Sequence, residues 1–207
     1  MIYPVSQGQF TIEIQKSKFI STLHQVKTVN EIKSILKELQ KSNPQARHIV
    51  YAYTLGKSGE ILGKNDDGEP SGTAGNPTLT ILTSHECTGA LITTVRYFGG
   101  IKLGSGGLTR AYSEAALGAF EHSSFSTLQE KSKITINLPY TFYKIFISLV
   151  QKIDENGFLK LEENFSEHVT LILEFPSKYT TQLEELILDL GKGSLTFSIE
   201  KIPGLFD

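Results

Sequence analysis

At 207 residues, with 39% hydrophobic and 20% charged residues, the chain is too apolar for a disordered protein and long enough for two compact domains, which are expected. A single cysteine, Cys87, excludes an internal disulfide and any zinc site built from several thiolates, and suits a reducing compartment. The formal net charge of −2 divides into twelve Lys and Arg against ten Asp and Glu over residues 1–125, and eight against twelve over 126–207, so any RNA contact must be a local patch.

The opening MIYPVSQGQF has neither a basic n-region nor an apolar h-region, and no apolar run approaches the ~18 residues of a membrane span. A cytoplasmic protein without membrane partners is expected. Alternation over residues 10–14 and 19–23 predicts a hairpin turning at 15–18. Thr28 or Asn30 can cap a helix to about Lys41, with Ile32, Ile35, Leu36 and Leu39 on one face and Asn43-Pro44 as its stop. His48–Leu55 reads as a strand. Residues 56–75, rich in Gly, Ser, Asp and Pro, read as a loop or hairpin of the long kind that often carries function.

A short helix over 77–84 follows Pro77, with Ser71 or Thr73 expected to cap it, and Ala90–Tyr97 has buried-strand character. A glycine-rich turn over 99–107 leads into a helix over 108–120, on which Leu108, Ala111, Tyr112, Ala115, Ala116 and Ala119 recur at helical spacing. The Ser/Thr-rich stretch around 122–128 reads as a linker, placing an N-terminal domain at 1–125 and a C-terminal one at 129–207.

Beyond it, alternation predicts a strand at 133–138. Phe142, Ile145, Phe146, Leu149, Val150 and Ile153 then mark a helix over 140–155 that stops at Asn156-Gly157. Strands at 158–162 and 168–175 are expected, joined through Glu163-Asn164 and Ser166-Glu167. Leu183, Leu186, Ile187 and Leu190 mark a helix ended by Gly191 and Gly193, and residues 194–199 a last strand. The order βαββαβ is ferredoxin-like, an antiparallel sheet with two helices on one face, and the fold class of the whole is α+β.

Two segments carry a resemblance to a known family: Asn65-Asp66-Asp67-Gly68-Glu69-Pro70-Ser71-Gly72-Thr73-Ala74-Gly75, and Val95-Arg96-Tyr97-Phe98-Gly99-Gly100-Ile101-Lys102-Leu103-Gly104 with Arg110-Ala111-Tyr112. Together with Lys16-Ser17-Lys18-Phe19-Ile20, Arg47-His48 and Tyr51-Ala52-Tyr53, the chain resembles the YigZ/IMPACT family, in particular its bacterial two-domain members. The resemblance implies an N-terminal domain like the second domain of a small-subunit ribosomal protein and domain IV of elongation factor G. It also implies a C-terminal domain like domain V of that factor. Eukaryotic members restrain a translation-initiation-factor kinase by competing for its ribosome-associated activator, a pathway that bacterial members lack.

Asp66, Asp67 and Glu69 put three carboxylates within four residues, a set of oxygen ligands suited to a hard cation, although an Asp-Asp-Gly turn also needs these residues for its backbone shape. No metal or cofactor is expected, with Asp66, Asp67 and Glu69 the alternative metal ligands. The 99–107 turn fits neither a dinucleotide fingerprint nor a P-loop, but at a helix start it can hold an anion or RNA phosphate. The residues for that are Arg96, Lys102, Gly104, Gly106 and Arg110. Arg110 could instead tether the acidic loop.

Tyr51 and Tyr97 can stack bases or line a sheet face, and Phe98 carries the same two readings. Ser71, His48 and Asp67 are the residue types of a hydrolase triad, but no nucleophile elbow surrounds Ser71, and no catalytic residue is assigned. The expectation is a noncatalytic RNA- or ribosome-associated protein regulating translation. The alternatives are a protein-binding regulator acting through its C-terminal sheet and a metal-dependent enzyme on phosphate-containing substrates.

Overall fold

The computed structural model describes residues 1–153 and 160–202. The chain divides into two compact units, residues 1–128 and Gln129 onward.

In the first unit β2 (Gly8–Ile14) and β3 (Ser17–Gln25) form the expected hairpin, with Gln15 and Lys16 both at positive φ in its turn. Helix α1 (Val29–Ser42) starts at Thr28, whose Oγ1 accepts the Glu31 N–H while Glu31 Oε2 accepts that of Lys27, a reciprocal cap. Strands β4 (His48–Leu55), β5 (Ile61–Asn65) and β6 (Ala90–Tyr97) complete an antiparallel sheet ordered β2-β3-β6-β4-β5. Successive residues of a strand face opposite ways. Leu55 and Leu91 therefore pack with Ile32 of α1 on one face, while Phe19 and Val50 pack on the other with α2 (Gly75–Ser84) and α3 (Gly104–Glu121). Leu108, Ala111, Tyr112 and Ala115 of α3 are the inward residues there, and the alanines let the helix lie close to the sheet.

Residues 61–65 form an edge strand that closes a hairpin with β4, the second of the two readings that composition left open. Two expectations need correction. Helix α2 begins at Gly75, and its first turn is capped by the Asp66 carboxylate rather than by Ser71 or Thr73, whose Oγ1 donates to Pro70 O. The expected linker contains β7 (Phe125–Thr127), which pairs with β1 (Ile2–Pro4), so these residues belong to the first unit. Phe125 stacks on Phe120 at 4.3 Å, and β7's strand partner lies more than 120 residues away, beyond the reach of local pattern.

The second unit shows the βαββαβ order: β8 (Lys131–Leu138), α4 (Tyr140–Ile153), β9 (Lys160–Phe165), β10 (Val169–Pro176), α5 (Thr180–Gly191) and β11 (Thr196–Ile202). Its antiparallel sheet is ordered β11-β8-β10-β9. Ile134, Ile136, Leu171, Leu173 and Phe175 face Phe146 and Val150 of α4 and Leu183 and Ile187 of α5. The β9–β10 connection is shorter than expected, because β9 runs on to Phe165, whose ring meets those of Tyr140 and Tyr143. The Asn156-Gly157 stop and the beginning of the 158–162 strand lie outside the described residues. Among the described residues no helix is long and apolar enough to cross a membrane.

Candidate functional site

The acidic loop is shaped by its own side chains. Asn65 Oδ1 accepts the Asp67 N–H at 2.7 Å, and Asp67 and Gly68 both take positive φ, which turns the chain sharply. Asp66 then accepts three backbone N–H groups, from Gly72 (2.8 Å), Ala74 (3.0 Å) and Gly75 (2.7 Å). Burial alone would raise its pKa, but these bonds, with the charge of Lys64, outweigh burial and hold the carboxyl below its ordinary value. Asp67 Oδ2 accepts the Ile49 N–H at 2.6 Å, fastening the loop to β4.

Glu69 points inward and is buried. Its Oε1 accepts Arg96 Nη1 at 2.6 Å and the Tyr112 hydroxyl at 2.7 Å, joining the loop to β6 and α3. Burial, then the hydrogen bond to Glu69, pushes the Tyr112 hydroxyl far up, so it stays protonated as a donor. Arg96 Nη2 reaches Ser17 Oγ at 3.4 Å, and the same oxygen accepts the Gly99 N–H at 3.1 Å. Arg96 Nε, among the described residues, has no hydrogen-bond partner; its guanidinium lies 5.3 Å from the Phe19 ring and 5.6 Å from that of Phe98. Both motif segments are thus locked through one buried ion pair.

This geometry locates each residue singled out in the sequence. The carboxylates of Asp66, Asp67 and Glu69 diverge onto separate partners, and no group of three or more His, Cys, Asp or Glu is placed to hold a metal among the described residues. His48 Nδ1 faces the Asp67 backbone carbonyl at 2.6 Å, not its carboxylate, so Asp67 does not orient His48 as a triad acid would. Arg96, not Arg110, tethers the acidic loop, and its burial separates it from the surface cations. Tyr51 stacks on Tyr53 at 6.4 Å beside the α1 core, and the Tyr97 hydroxyl donates to Asn43 Oδ1 at 2.7 Å; both rings are half-buried.

The remaining cations stay together at the glycine turn. A Cβ on Gly99 would overlap the backbone of Lys16 and Ser17, so glycine here permits close packing. Gly100, at φ +85°, faces open space and is required for its backbone conformation. Helix α3 then starts at Gly104 behind Leu103, with no side-chain cap. Its leading N–H groups carry the positive end of the helix dipole. Exposed Lys102 immediately precedes this end, and exposed Arg110 folds back so that Nη1 lies 3.9 Å from where a Cβ of Gly106 would be. The two helix starts on this face of the sheet therefore differ: Asp66 neutralises that of α2, while α3 is left uncapped with two cations beside it.

A model of the Impact N-terminal domain matches residues 15–120, which contain both motif segments. The chain is similar to the IMPACT family member YvyE of Bacillus subtilis, at 34% identity over 186 residues, covering 90% of this chain and 84% of that one. It is also similar to the IMPACT family member YigZ of Escherichia coli, at 30% identity over 196 residues, covering 94% and 95%. Among solved structures, the crystal structure of a hypothetical protein matches with a TM-score of 0.61 at 27% identity, covering 95% of both chains.

Proposed function

The chain belongs to the IMPACT family, and we propose that it is a noncatalytic RNA- or ribosome-associated regulator of translation that holds RNA phosphates at the N-terminus of α3. The carrying observation is the uncapped helix start flanked by Lys102 and Arg110. Unpaired N–H groups at a dipole's positive end, with two exposed cations beside them, suit a phosphate oxygen. The likeness of the two units to a ribosomal-protein domain and to elongation-factor G domains, implied by the family resemblance, belongs to the same reading. The engaged carboxylates of the acidic loop favour a structural role for that loop over a metal-dependent one.

The test is RNA binding across a salt series, with polysome gradients at low salt. Lys102→Ala and Arg110→Ala should each weaken binding irrespective of sequence and lower the salt slope by about 0.7 per lost contact to single strands. Unchanged affinity in both folded variants, together with absence from ribosomal fractions, would refute the reading.

A second reading rests on the second unit. The sheet face opposite α4 and α5 presents exposed Asn137 and half-buried Thr135, Thr170 and Ile172 as a surface for a protein partner. Affinity capture after nuclease treatment separates the two: a partner lost with the RNA counts against this one.

A further inference from the structure

We infer that the exposed Phe98 ring is a base-stacking platform, so that the RNA taken at this surface is single-stranded, with an unpaired base laid against Phe98 and Arg47. This rests on the RNA-binding reading above and specifies which form of RNA the site accepts.

Phe98 is 40% exposed and Ile101 is 45% exposed, two large apolar side chains displayed within four residues. Leaving such area in water forgoes the stabilisation that burial would bring, and on a folded protein it marks a contact surface. The ring is also held in place before any ligand arrives. Its neighbour Gly99 is wedged against Lys16 and Ser17 and donates its N–H to Ser17 Oγ. Arg96, fixed by Glu69, lies 5.6 Å from the ring centroid. A preorganised aromatic loses little entropy on binding.

The chemistry around the ring selects the ligand. The exposed Arg47 guanidinium also lies 5.6 Å from the Phe98 centroid, and a planar guanidinium beside an aromatic ring is a surface on which a base can stack. Residues 97–113 contain Lys102 and Arg110 and no Asp or Glu, so the turn is complementary to a polyanion rather than to a mixed-charge protein surface. A duplex keeps its base faces stacked inside, whereas a single strand can present them. Tyr51 and Tyr97 do not compete for this role, since one lies against Tyr53 and the other is bonded to Asn43.

The experiment uses the full chain, a fluorescently labelled unstructured oligoadenylate, and the same strand annealed to its complement. Wild type should bind the single strand more tightly than the duplex. Phe98→Ala should lose roughly tenfold in affinity for the single strand, as for one stacked base. Phe98→Tyr should retain wild-type affinity, and Phe98→Leu, apolar but without a π face, should behave like Phe98→Ala; melting temperatures confirm that each variant is folded. Wild-type affinity in Phe98→Leu, or equal binding of single strand and duplex, would overturn the inference in favour of a plain apolar contact such as a protein would make. If Lys102→Ala weakens RNA binding while Phe98→Ala does not, stacking fails and the phosphate reading stands. If wild type binds neither RNA, both fail.

Discussion

Arg96 Nη1 lies 2.6 Å from Glu69 Oε1, with both side chains buried, and this pair joins segments 27 residues apart in sequence. A buried pair of this kind depends on both members, because either one alone is an uncompensated charge. Glu69→Ala should therefore cost about 3–5 kcal/mol of unfolding free energy. Tyr112→Phe, which removes one hydrogen bond to the same carboxylate, should cost about 1.5–3 kcal/mol. The double variant Arg96→Met with Glu69→Leu should be less destabilised than the two single changes combined. Urea denaturation of these three variants and of the single changes Arg96→Met and Glu69→Leu decides it, and a nearly wild-type Glu69→Ala would show that the pair is screened by solvent.

Asp66 organises the loop and the start of α2 as an anion. Its folded-state pKa is below its ordinary value, so its stabilisation is present above about pH 4 and is lost as pH falls through the folded value. Asp66→Asn lacks that anionic component. The gap in melting temperature between wild type and Asp66→Asn should stay constant above about pH 5 and narrow below about pH 4. A gap independent of pH would assign the effect to loop shape alone.

His24 is driven the other way in charge terms. Burial pushes its pKa down to about 4, and its ring nitrogens contact Gln7 Nε2 at 3.2 Å and Thr93 Oγ1 at 3.1 Å. The unfolded chain then binds more protons than the folded one between pH ~4 and ~6.5, so stability rises with pH across that window. The contribution is complete above pH ~6.5 and amounts to at most about 3 kcal/mol. In His24→Gln, denaturation curves should lose this part of the pH dependence, and an unchanged slope would place its origin elsewhere.

The adjacent glycines should fail for different reasons. Gly99→Ala must push the Lys16–Ser17 backbone away, whereas Gly100→Ala meets no atom and only forces alanine to positive φ. The second should cost about 1 kcal/mol, the usual strain of the left-handed region, and the first clearly more. Chemical denaturation ranks them; the reverse order would contradict the close approach of the turn to the β2–β3 hairpin.

The local elements were readable from the residues alone. The strand character of His48–Leu55 and of the apolar, β-branched run Ala90–Tyr97, the three- and four-residue spacing along α1 and α5, and the Thr28 cap each involve residues within a few positions of one another. The βαββαβ order of the second unit followed from the same periods. Lys102 and Arg110 were also found as cations near a helix start, because they are close to it in sequence. What tertiary structure alone decided is which partner each polar group takes. No spacing rule makes Arg96 the tether of Glu69 and leaves Arg110 outside, assigns Asp66 to a helix start eight and nine residues on, or pairs residues 125–127 with the N-terminus. Hydrophobic periodicity reports only whether a side chain faces inward or outward. The choice among buried polar partners is made when distant segments meet, by the free-energy cost of leaving a charge or backbone N–H without one.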